Sequence, residues 1–135
     1  MTVVVAWSAD EFGAAALTHG AAQAQHKRED LVVVNLTRGD AFVDKRFAAD
    51  EEIARVTASA EALGLAVRVV HGVVDDVAAA IVDEIRSTSA SLVVVGIRHR
   101  SPVGKMLLGS VAQRIILDAP CPVLAVKPDA ESDLV

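Results

Sequence analysis

Only one cysteine, Cys121, occurs in 135 residues, so the chain can form no internal disulfide and no multi-cysteine zinc site. Large aromatic residues are scarce, at 3% of the chain, and the 53% of hydrophobic residues is built mainly from Ala and Val. No apolar run approaches the ~20 residues of a membrane-spanning helix, which predicts a soluble chain without a membrane partner. "MTVVVAW" has no basic start, and its apolar run is too short for a signal-peptide core. A cytoplasmic location is expected. The formal net charge of −5 argues against the broad basic surface that nucleic acid or an anionic membrane requires. Missing too are a Ser-His-Asp or Cys-His pairing and any evident general base, so no catalytic residue is assigned. His19 and His26 have no partner at ligand spacing and are assigned no metal.

What is present alternates. "TVVVAW" (2–7), "LVVVNL" (31–36), "LAVRVV" (65–70), "SLVVVG" (91–96) and "CPVLAV" (121–126) are short, β-branched apolar runs suited to buried strands. Helical patterns separate them, over 10–26, 47–63 (ended by Gly64), 77–86 (with Asp75 as N-cap) and 111–117. Strand and helix in alternation predict a single α/β domain over 1–128, followed by a polar tail over 129–135. The fold class is an open five-stranded parallel sheet with helices on both faces. A ligand of such a sheet sits outside the carboxyl ends of its strands, where the strand order reverses.

Positive charge gathers at that edge. After Gly96, which is read as a residue that lets the chain turn sharply off the strand, come Arg98, His99, Arg100, Gly104 and Lys105, then Gly109 and Ser110. Gly109 and Ser110 fall where the helical pattern resumes, so their N–H groups lie near a helix N-terminus, which attracts anions. The alternative is that the glycines only turn the chain and the cations are solvated. The segment is not a Walker A loop, which needs glycine at position 99 and Ser or Thr at 106, where the chain has His99 and Met106. Elsewhere Asp10 and Glu11 read as favourable charge at a helix start. His71 and Gly72 close the third strand, Trp7 packs at the core edge, and Cys121 is a small buried hydrophobe.

Gly96, Gly109-Ser110 and "APCPVLAVKP" together resemble the C-terminal signature of the universal stress protein family, and element order and length fit across the whole chain. In the nucleotide-binding branch of that family the loop reads G-x2-G-x9-G-[ST]. Gly96, Gly109 and Ser110 match it, whereas His99 stands at the second glycine. That branch also carries an aspartate after its first strand, where this chain has Ser8, with Asp10 two residues on. The resemblance implies the strand order 3-2-1-4-5 and a stress-response regulatory protein that binds ATP, AMP or another adenine nucleotide, with or without Mg²⁺. Adenine would be read by backbone groups near Asn35 and Leu36, while Arg98, Arg100 and Lys105 supply charge. Any ATP turnover would be slow. The other reading it leaves open is the branch without nucleotide, a dimeric interaction module with a protein partner yet to be named. The fifth strand is an unprotected apolar edge, and burial of Val123, Leu124 and Val126 against a two-fold mate predicts a homodimer.

Overall fold

Val3, Val4 and Val5 have no exposed surface, which requires a strand covered on both faces. The computed structural model describes residues 1–39, 47–97 and 109–128. In it the elements run β1 (Thr2–Ala6), α1 (Glu11–Lys27), β2 (Asp30–Thr37), α2 (Asp50–Ala62), β3 (Val67–Val73), α3 (Val77–Ser87), β4 (Leu92–Gly96), α4 (Ser110–Asp118) and β5 (Val123–Val126). All pairings are parallel and the sheet order is β3-β2-β1-β4-β5, as expected. The expected tail over 129–135 lies outside the described residues. Among those described, no helix is long and apolar enough to cross a membrane.

The period of two along each strand splits the core into two layers. Val3, Val5, Leu31 and Val33 face α1 and α2, meeting Ala16, Ala24, Val56 and Ala60. Val4, Val32, Val34, Val93 and Val95 face α3 and α4, meeting Ile81, Ile85 and Ile115. Each fully buried valine contributes roughly 1.5–3 kcal/mol relative to exposure. Cys121, read as buried, is only partly so, and packs against the second layer. Burial nevertheless pushes its thiol pKa up, which disfavours the reactive thiolate.

Helix α1 lies unusually close to the sheet because small residues line its inner face. A Cβ on Gly20 would come within 2.3 Å of Val5 Cγ2, and one on Gly13 within 1.7 Å of the Ser8 carbonyl oxygen. Gly96 has the same role from the other side, since a Cβ there would stand 2.3 Å from the carbonyl oxygen of Phe12. Its backbone stays in β4, paired with Val126. Close approach, rather than freedom to turn, is what position 96 demands.

Several boundaries differ from the sequence expectation. β3 runs on to Val73 because His71 and Gly72 pair in register with Asn35 and Leu36 instead of ending the strand. Asp76, not Asp75, caps α3, accepting from Ala79 N–H at 3.1 Å. β5 starts at Val123 because Pro122 has no N–H to give a ladder. α2 starts at Asp50, since the N–H of Ala48 is bonded to the Asn35 side chain and that of Ala49 to the Glu52 carboxylate.

The packing separates two glycines sharply. Gly13→Ala must move backbone and should cost about 3 kcal/mol. At Gly72 an added Cβ meets no described atom within 4 Å and φ is not positive. Gly72→Ala should therefore leave stability unchanged or raise it by up to about 1 kcal/mol. Urea denaturation of the two variants checks this, and equal losses would contradict it.

Candidate functional site

A cleft of ≈ 970 Å³ opens over the carboxyl ends of the strands. β1 has β2 on one side and β4 on the other, so the cleft straddles the point where strand order reverses. The fold brings Ser8, Asp10, Leu36, Gly96, Gly109 and Ser110 to its lining, from five different elements and turns. Arg98, His99, Arg100, Gly104 and Lys105 lie outside the described residues.

Asp10 is the N-cap of α1. Its Oδ1 accepts from Gly13 N–H at 2.9 Å and from the Ser8 hydroxyl at 2.6 Å. The helix-start reading of Asp10 thus holds, and Ser8 is tied to the same carboxylate. Across the cleft, Gly109 is the N-cap of α4 with φ −64 and ψ 154, and it makes no side-chain cap bond. Any residue adopts that conformation, and a Cβ on Gly109 would meet no described atom within 4 Å. Among the described residues, packing asks for glycine at 96 but not at 109. Gly109 itself borders the cleft.

Leu36 and Asn35 both border the cleft, and Asn35, only 2% exposed, also ties the fold together through its side chain. Asn35 donates from Nδ2 to the Trp7 carbonyl at 3.0 Å and accepts at Oδ1 from Ala48 N–H at 2.8 Å. His71 Nε2 donates to the Ala48 carbonyl at 2.9 Å, which places its proton on that nitrogen. The ring stacks on Phe47 at 4.2 Å between centroids. His71 is thus a structural latch. Trp7 packs in the core as expected, at 9% exposure, with one side bordering the cleft.

Sequence reasoning missed Arg114 and Arg38, both of which line the cleft. Arg114 Nη1 donates to both oxygens of Asp76, at 2.7 and 2.8 Å. This bridge joins the start of α3 to the middle of α4. The Arg114 hydrogen bond, followed by the Ala79 N–H, holds the Asp76 carboxyl below its ordinary 3.8, and Arg38 lowers it further through its charge. Reciprocally, Asp76 raises the Arg114 pKa. A signal for Arg114 did exist: it follows Ser110 by four residues, so the two share a helix face. Its pairing with Asp76, 38 positions away, left no trace in sequence. Among the described residues no three His, Cys, Asp or Glu side chains come together as a metal-binding group.

An open, doubly wound α/β sheet with a cleft at its switch point defines the class of protein. Residues 1–127 match the model of the universal stress protein family, and the chain belongs to that family. A universal stress protein of Mycolicibacterium smegmatis is 48% identical over 126 residues, covering 93% of this chain and 97% of that protein. A universal stress protein solved in complex with cAMP shares the fold with a TM-score of 0.69 at 21% identity, over 96% of this chain and 98% of that one. Another, from Archaeoglobus fulgidus in complex with dAMP, gives 0.68 at 21% identity, over 93% and 96%. At such identities the likeness to the two complexes is one of fold.

The Asp76 carboxyl is depressed in the folded chain, so its contribution to stability is full above 3.8 and disappears as pH falls through the lower, folded value. Asn at 76 retains the helix-capping capacity but does not titrate. Wild type should therefore lose stability relative to Asp76→Asn below about pH 4, with a constant difference between about pH 5 and 7. Denaturation midpoints across that range check this, and a difference that varies above pH 5 would refute it.

Proposed function

We propose that this protein is a stress-response regulatory module of the cytoplasm that binds an adenine nucleotide in the cleft between the ends of β1 and β4. It works through occupancy rather than turnover. The observation that carries the reading is Gly109: no described residue packs where its Cβ would stand, and the position borders the cleft at the start of α4. A bare backbone at that place lets phosphate reach the N–H groups of Ser110 and the residues after it, which have no acceptor within their own helix. The two solved family members with cAMP and dAMP support the choice of adenine. Arg98, Arg100 and Lys105 supply charge in this reading, and Leu36 borders the base. His99 and Ser8 depart from the family's nucleotide motif, which makes binding weak or conditional.

Calorimetric titration with ATP, AMP and cAMP, with and without Mg²⁺, tests the reading. Gly109→Val should abolish binding while the circular dichroism spectrum stays that of wild type. His99→Gly, which restores the family's second glycine, should tighten binding by about 1 kcal/mol. Failure of wild type, His99→Gly and the Ser8→Asp/His99→Gly double variant to bind any adenine nucleotide would leave the interaction module as the function.

A homodimer through β5 has its own support. β5 is the last strand of the sheet and its outer edge has no described partner. Of the side chains expected to make the contact, Val126 is buried in the chain's own core, while Leu124 and Val123 are partly buried and pack on opposite faces of the sheet, which favours a contact through the backbone edge. The carbonyls of Pro122 and Val126 accept from Val93 and Ile97, so alternation turns the backbone groups of Val123 and Ala125 outward. A two-fold mate would pair with those groups. Sedimentation should show a dimer at micromolar concentration, and Ala125→Pro, which removes an outward N–H, should give a folded monomer. A monomeric wild type would rule the dimer out.

A further inference from the structure

Arg114 is the one described cation that borders both the cleft and the groove between α3 and α4, where Asp83, Arg86 and Asp118 are its charged neighbours. It stands one helical turn after Ser110, and helix side chains lean toward the N-terminus. The guanidinium therefore leans toward the space onto which the first-turn N–H groups of α4 open. Its resting partner holds it lightly. Asp76 takes both contacts from a single nitrogen, Nη1, and the two side chains are 47% and 48% exposed. An ion pair so open to water contributes little, whereas phosphate offers a guanidinium two parallel charge-assisted bonds. Asp76 does not depend on Arg114 alone, because Ala79 N–H and the charge of Arg38 also favour its carboxylate.

We propose that Arg114 is an exchangeable phosphate clamp: Asp76 holds it in reserve, and a nucleotide in the cleft draws the guanidinium away, so that Arg114 sets the preference for ligands with more phosphate charge. This rests on the nucleotide reading of the cleft. Occupancy would then undo the one described ion pair between α3 and α4, which transmits the ligand's charge to the helical face of the domain.

Titration of the full chain with adenosine, AMP and ATP tests it. Wild type should bind ATP more tightly than adenosine. Arg114→Gln should weaken ATP about tenfold or more while moving adenosine by less than about twofold. Arg114→Lys should restore part of the loss. Asp76→Asn should tighten ATP by about two- to fivefold, as the competing partner is removed, and leave adenosine unchanged. Arg114→Gln moving ATP and adenosine by one common factor, or moving neither, would overturn the clamp. Equal binding of ATP and adenosine by wild type would overturn it too, while the nucleotide reading stood. If wild type binds none of the three, both fall.

Discussion

The contact on which the rest of the structure depends is the approach of α1 to the middle of the sheet. Gly13 lies against the Ser8 carbonyl, Gly20 against Val5, and Gly96 of β4 against the Phe12 carbonyl. Each has no room for one further carbon. Interiors packed at crystal-like density yield little to such an intrusion, so a side chain at any of these positions must displace helix or strand. The same approach sets the start of α1 beside the end of β4. Ser8, Asp10 and Gly96, far apart in sequence, thereby become neighbours in one cleft. Packing and site are two results of one constraint.

Acidic residues at the cleft might be expected to repel an anion, but the two best-placed ones are already engaged. One oxygen of Asp10 caps α1 and accepts from Ser8, and Asp76 caps α3 while pairing with Arg114. Each carboxylate answers the partial positive charge of a helix N-terminus. The start of α4, by contrast, has glycine as its cap and no carboxylate of its own. The three helix starts that border the cleft differ in that respect, and the one without an internal anion is the one bordered by Ser110 and Arg114.

The strands were legible because short, continuous valine runs bounded by turn residues suit a sheet covered on both faces, alternation with helices makes that sheet parallel, and the family resemblance implied its order. The boundaries that went astray did so for tertiary reasons. His71 and Gly72 read as a strand end, yet pairing with Asn35 and Leu36 carries β3 through them. The cap of α3 fell to the second of two adjacent aspartates, a choice that Arg114 and the Ala79 N–H favour and that sequence does not display. At the site, Gly109 and Ser110 were legible from their place at a helix start. Gly96 was identified as necessary for the wrong reason, since a strand glycine opposite a helix carbonyl looks the same in sequence as one at a turn. The edge strand was legible, but the division of its side chains between two core layers was not, because that depends on what the sheet places above and below it.

The latch formed by Asn35, Ala48 and His71 also divides the cleft mechanically. Along the β2–β3 side, buried hydrogen bonds and a stacked ring tie the ends of three strands to the approach to α2. Breaking them would strand buried polar groups without water, which is expensive. On the other side, α3 and α4 are held by hydrophobic packing around Ile81, Ile85 and Ile115, and by a bridge open to solvent. The cleft thus has one stiff jaw and one compliant jaw. The difference lies in what each side would lose on moving: buried hydrogen bonds on one, and on the other apolar contacts and a bridge that water can replace.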